Sequence, residues 1–152
     1  MRLWIAAVGR LKAGPTQDLY RDYVRRLTWP LTLREVEVRR PHPVDERRRE
    51  EARLLRDATP AGAKIVALDE RGATVGSVAF ARRLGDWRDD GIGDLAFVIG
   101  GADGLDPALP DAADMVLCFG AMTWPHPLVR VMLAEQLYRA QQILAGHPYH
   151  RS

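Results

Sequence analysis

Apolar positions along the chain fall into short runs separated by helically spaced ones. Residues 3–8, 64–68 (KIVAL), 95–99 (LAFVI) and 115–119 (MVLCF) are apolar almost throughout and read as buried strands. Residues 31–38 (LTLREVEV) alternate, which predicts a strand with one exposed face. Between these runs the spacing turns helical. Residues 15–27 set Leu19, Tyr23, Val24 and Leu27 on one face, and residues 45–57 form a charged helix carrying Leu54 and Leu55. Ser77 can cap a helix through Phe80, Leu84 and Trp87. Residues 107–113 make at most a short helix. Residues 127–145 make the longest one, ended by Gly146 and Pro148.

Strands that are apolar throughout and separated by helices predict an α/β fold. It is a single domain over residues 1–152, with a mostly parallel sheet and helices on both faces. Ligands of such sheets sit beyond the carboxyl ends of the strands. That rule singles out four loops, at residues 9–14, 69–74, 100–104 and 120–127.

Composition adds limits. A chain of 152 residues with 47% hydrophobic and 28% charged residues has the balance of an ordinary soluble globular protein, and nothing in it reads as disordered or fibrous. Lys12 and Lys64 are the only lysines. An arginine-rich set suits bidentate phosphate recognition, and it equally fits a genome-wide preference for arginine. A net charge of +2 argues against a non-catalytic RNA-binding module, which would carry a strong basic patch. Cys118 is the single cysteine, so no intramolecular disulfide can form, and a reducing, cytoplasmic location is expected. The first apolar run is too short for a secretory segment, and no stretch approaches the roughly 20 apolar residues of a membrane span. No membrane partner is expected.

Three stretches carry candidate chemistry. IGGADG at 99–104 follows a buried strand, and adjacent glycines let the backbone approach a ligand. It is also a plausible tight turn with nothing bound. Its G-G-x-x-G spacing is not the dinucleotide fingerprint, and no acid follows the next strand to hold a ribose, which argues against a nucleotide-binding oxidoreductase on a doubly wound sheet. The loop at 9–14 continues into Pro15-Thr16 where a phosphate-binding loop needs Lys then Ser or Thr. In GAMTWPHPLVR at 120–130 two prolines flank His126, and Pro127 suits the first helical position. Arg130 falls in the first helical turn, against the helix dipole, either to meet an anion such as phosphate or to pair with a nearby carboxylate. The terminal GHPYHRS gathers rings and a guanidinium, groups that stack on bases and bind phosphate. His147 and His150 have no companion ligands, so no metal is expected. There is no G-x-S-x-G elbow, Cys118 reads as core, and the carboxylates of 45–57 read as a solvated face.

IGGADG, MTWPHPLVR, EQLYRA and HPYHR, in this order and spacing, resemble the pseudouridine N3-methyltransferases of large-subunit rRNA, the minimal SPOUT methyltransferases. LWIAAVGR and VALDERG fit as well, so the resemblance spans essentially the whole chain. It implies a C-terminal trefoil knot, a homodimer, S-adenosyl-L-methionine as cofactor, and a pseudouridine of 23S rRNA in the assembled ribosome as substrate. By the resemblance, Leu68, Asp69, Gly100, Gly101, Gly120, Ala121, Met122, Thr123, Trp124 and Pro125 form the cofactor loops. It also implies that Tyr149, His150 and Arg151 form an active-site tail, and that Arg130 and His126 bind or orient the base. The helix at 127–145 is apolar over more of its circumference than one sheet face covers, which independently predicts a partner surface.

Overall fold

The computed structural model describes residues 1–150, with the side chain of His150 left aside. The expectation for Arg151 therefore lies outside the described residues. Strands β1 (Arg2–Val8), β2 (Leu31–Val36), β3 (Lys64–Ala73), β4 (Asp94–Ile99) and β5 (Met115–Leu117) form one sheet in the order β2-β1-β4-β3-β5. Every pairing is parallel. Parallel neighbours need crossovers, and the helices supply them: α1 (Pro15–Arg26), α2 (Val44–Asp57), α3 (Ser77–Asp89), α4 (Ala108–Ala112) and α5 (His126–Leu144).

Strand alternation sorts the core into two layers. Leu3, Ile5, Ala7, Val66, Phe97 and Ile99 pack with Tyr20 of α1, Phe80 and Leu84 of α3, and Val131, Leu133 and Leu137 of α5. Ala6, Val8, Ala67 and Val98 on the opposite face pack with Ala52 and Leu55 of α2 and Leu109 of α4. The sheet is covered on both sides, as apolar parallel strands require. A flavodoxin-like order would place the third strand beside the first. Here β4 takes that place, and β3 lies between β4 and β5.

Three local features depart from the sequence pattern. The α3 N-cap is Gly76, with no side-chain cap, and the Ser77 hydroxyl bonds Gln136 Oε1 on α5 at 2.8 Å instead. Helix α5 begins at His126, one residue earlier than expected. Strand β3 runs past the expected loop at 69 to Ala73, with a register shift between Leu68 and Ala73 against Leu117. That extension depends on Gly72, where a Cβ would stand 2.7 Å from the Leu117 carbonyl carbon and 2.8 Å from its nitrogen. Backbone cannot yield as a flexible side chain can, so Gly72→Ala should loosen the β3–β5 pairing. Destabilisation of about 1–3 kcal/mol in urea unfolding is expected, and an unchanged midpoint would contradict the close approach.

Candidate active site

A pocket of about 550 Å³ opens at the carboxyl ends of β3, β4 and β5. Three of the four loops singled out by the strand-end rule line it. The fourth, after β1, does not: its Gly9 carbonyl is taken by Arg130. Nine of the ten residues expected to hold a cofactor come together here: Leu68, Asp69, Gly100, Gly101, Gly120, Ala121, Met122, Thr123 and Trp124. Pro125 is not in the lining. It caps α5, its carbonyl accepting from the Leu128 and Val129 amides at 3.0 and 3.1 Å.

The glycines shape the wall. A Cβ on Gly100 would stand 2.8 Å from the Gly104 carbonyl carbon, and one on Gly101 would stand 3.0 Å from Val8 Cγ1. The loop closes with a bond of 3.0 Å from the Gly104 amide to the Gly101 carbonyl. Gly104 at φ 77 takes the left-handed conformation that the turn needs. Leu68, Leu117 and Phe119 add apolar surface, while exposed backbone groups supply directional donors and acceptors. Gly101→Ala would force the loop off Val8 by a few tenths of an ångström. A cofactor read by backbone groups should then bind about tenfold more weakly, measured by calorimetry on the folded variant. Unchanged affinity would remove this loop from the binding surface.

Charge at the pocket is mixed. Burial opposes the ionised form of Asp69, but side-chain and backbone hydrogen bonds from Arg71 outweigh it, and its carboxyl sits below the usual range. Arg47 on α2 pairs with Asp103 of the glycine loop at 3.3 Å. His126 at the start of α5 is held below the usual imidazole range by burial and by the charge of Arg130, which favours the neutral ring at neutral pH. The Cys118 thiol, buried, donates to the Gly120 carbonyl at 3.0 Å.

The other expected site residues lie elsewhere. Arg130 is 1% exposed and does not line the pocket. Its Nη1 donates to Glu35 of β2 at 2.8 Å, and its Nη2 to the carbonyls of Val8 and Gly9 at 2.8 Å each. Of the two readings of a cation against the dipole, the carboxylate pair is the one built. Tyr149 docks on the middle of α5, its hydroxyl bonding Glu135 Oε1 at 3.2 Å and its ring lying 4.7 Å edge-on from Tyr138. Glu135 follows Val129, the last pocket-lining residue of α5, by six residues, which sets the docked ring about 9 Å along the helix from the pocket.

The pocket also has residues that the sequence pattern passed over. Arg48 of α2 lines it, and Glu51, one turn on, is 7% exposed behind Gly101. Residues 48, 51, 52 and 55 share one helix face at a spacing of three and four, and Ala52 and Leu55 on that face were the available sign that it turns inward. Among the described residues no group of three or more His, Cys, Asp or Glu is placed to hold a metal, and no helix is long and apolar enough to cross a membrane.

Comparison with known proteins fits this geometry. The chain is 63% identical over its whole length, and over the whole of the relative, to ribosomal RNA large subunit methyltransferase H of Rhodospirillum centenum. It is 60% identical, over 99% of each chain, to the protein of the same name from Paramagnetospirillum magneticum. Among solved structures it shares its fold with a probable methylase family protein from Haemophilus influenzae. The TM-score there is 0.59 at 11% identity, covering 99% of this chain and 70% of that one. A probable methyltransferase from Bordetella pertussis gives a TM-score of 0.55 at 16% identity, covering 91% and 95%. The family described as predicted SPOUT methyltransferase matches residues 1–150. With its glycine loop, its MTWPHPLVR segment and its all-parallel sheet in place, the chain belongs to the SPOUT methyltransferase family.

Proposed function

We propose that this protein transfers a methyl group from S-adenosyl-L-methionine to ring N3 of a pseudouridine in 23S rRNA, acting on the assembled ribosome in the cytoplasm. The observation that carries the reading is the convergence of the 68–71, 99–105 and 117–124 segments on one pocket, in a chain whose full-length relatives are named large-subunit rRNA methyltransferases.

The pocket fits the cofactor. Its volume of about 550 Å³ suits a nucleoside carrying an amino-acid arm. Leu68, Leu117 and Phe119 can cover the faces of a purine, and the glycine-loop backbone can read its edge. When bound, S-adenosylmethionine supplies an electrophilic methyl on a sulfonium. The protein's part is to place the base in line with that methyl and to let N3 lose its proton. His126, at the pocket and held neutral, is able to accept a hydrogen bond or a proton. Tyr149 cannot serve as a base in its docked position, because burial and Glu135 push its hydroxyl up to about 12.

Two further features belong to the reading. Met122 and Trp124 of the pocket lining and the neighbouring Leu128 are exposed apolar residues, at 76%, 40% and 36%, and they favour a homodimer built on this region. Tyr149, docked away from the pocket of its own chain, would then serve the partner's pocket. A dimeric mass in light scattering at micromolar concentration is expected, and a monomer there would remove the shared-site arrangement.

The test of the whole reading is single-turnover transfer of labelled methyl from S-adenosylmethionine to ribosomes lacking the modification. Mass spectrometry should place the label on a pseudouridine of 23S rRNA. A label elsewhere would refute the substrate. A melting temperature raised by NAD and not by S-adenosylmethionine would favour the oxidoreductase reading instead.

A further inference from the structure

Glu51 is the least expected group near the pocket. It stands in α2 among Ala52 and Leu55, packed on the sheet face of Val8 and Val98. It is 7% exposed, and its Oε2 is buried with no hydrogen-bond partner. A buried carboxylate oxygen without a donor is costly unless something else repays it. Its other oxygen, Oε1, lies 3.4 Å from where a Cβ of Gly101 would be, and Gly101 lines the pocket. Only one residue without a side chain therefore separates this carboxylate from the pocket.

The charged groups around it do not cancel it. Arg47, one turn earlier on α2, is engaged by Asp103 at 3.3 Å and by the His42 carbonyl at 3.1 Å. Asp103, on the glycine loop, adds a second negative charge. Arg48 on the same helix donates through Nη2 to Asp45 at 2.9 Å, its Nε being buried without a partner, and β1 presents the apolar Ala6 and Val8 on this side. Burial and Asp103 raise the carboxyl of Glu51 above the usual range, against the pull of Arg47. An uncompensated negative charge behind a thin wall favours a positively charged occupant and is indifferent to a neutral one of the same shape.

We propose that Glu51 is a specificity-determining residue of the pocket, acting through Gly101 to favour the cationic sulfonium cofactor over its neutral thioether product, S-adenosylhomocysteine. The proposal rests on the S-adenosylmethionine reading given above. The two ligands share adenosine and amino-acid parts and differ by the methyl and its charge, so contacts to the common parts affect both alike. A residue that merely supports the loop would weaken both equally when changed. Glu51 should move only the ratio.

The experiment is calorimetric titration of the full chain with each ligand at pH 8.5, for the wild type and Glu51→Gln. Glutamine keeps the shape and removes the charge. The expected result is S-adenosylmethionine affinity lowered roughly tenfold, with S-adenosylhomocysteine affinity within about twofold of wild type. A second arm uses the wild type alone and needs no variant to fold. Lowering the pH toward 5 should shrink its preference for the sulfonium as Glu51 protonates. Where the variant folds, it should lack that part of the pH dependence, while the other charged or ionisable groups lining the pocket, Arg48, Asp69, Glu70, Arg71, Asp103 and His126, are the same in both proteins. Equal weakening of both ligands, or a wild-type preference that ignores pH, would overturn the role of Glu51. A wild type that binds neither ligand would instead bring down the cofactor reading on which it stands.

Discussion

Deleting residues 149–152 is expected to cut methyl transfer to ribosomes at least about a hundredfold while leaving S-adenosylmethionine affinity near wild type. Tyr149 is not part of the pocket lining, so the pocket wall stays whole without it. Its removal costs the edge-on contact with Tyr138 at 4.7 Å and the cation–π contact with Arg139 at 5.0 Å, together about 1–2 kcal/mol. Glu135 is not left unpaired, because Arg139 holds it through Nε and Nη2 at 3.0 and 2.8 Å. The fold should therefore survive. What goes is a ring and a titratable tail able to hold an exposed base against the methyl donor. Single-turnover transfer beside a cofactor titration decides the matter. Wild-type transfer by the truncated protein would make the tail structural, and loss of cofactor binding would place the tail in the pocket after all.

Arg130→Met should destabilise the protein by about 3 kcal/mol in urea unfolding. The guanidinium is 2% accessible and answers three acceptors on two segments: Glu35 at the end of β2, and the Val8 and Gly9 carbonyls where β1 gives way to its loop. Glu35 also takes the Leu11 amide. Arg130 thus ties the start of α5, and with it the pocket segment just before, to the ends of two strands. Methionine fills the volume, removes the guanidinium from both carbonyls and leaves the carboxylate with the Leu11 amide. Glu35 is 30% accessible and can be partly hydrated, which sets the expected loss at the low end for a broken buried pair. Arg130→Lys keeps the charge but not the planar fork, so it should recover only part of the loss. A loss under about 1 kcal/mol for methionine would mean that water replaces the guanidinium, and that the pair does not hold the helix start.

Much of this was legible in the chain. The apolar runs located four strands and gave β1 and β4 to within a residue, because a strand covered on both faces has no polar positions to blur its limits; β3 runs five residues further than its apolar run and β5 stops two residues short of its own. The alternation of LTLREVEV located the edge strand β2 for the complementary reason. The glycine and MTWPHPLVR segments located two of the stretches that line the pocket. What pattern could not carry is partnership at a distance. Ser77 reads as a cap and instead finds Gln136, 59 residues on. Arg130 reads equally as an anion site or as half of an ion pair with a nearby carboxylate, and the carboxylate it meets lies 95 residues back. Glu51 sits in a run of alternating charges, where one buried member looks like its solvated neighbours. The expected trefoil knot is a matter of how a loop is threaded, and apolar periodicity carries no record of threading.

The strand order also sets a schedule for synthesis. Strand β1 can pair with β2 once residue 36 has been made, but its other neighbour, β4, lies 92 residues away at the Arg2–Asp94 register. At translation speeds of roughly 5–20 residues per second, one edge of β1 waits about 5–20 s for its partner. The apolar Leu3, Ile5 and Ala7 lack their final cover for at least as long, since α5 is made later still. The nascent chain is thus most prone to aggregation and chaperone capture in its first two-thirds. Protection of β1 from protease in stalled chains should appear only when β4, α5 and Arg130 have cleared the exit tunnel.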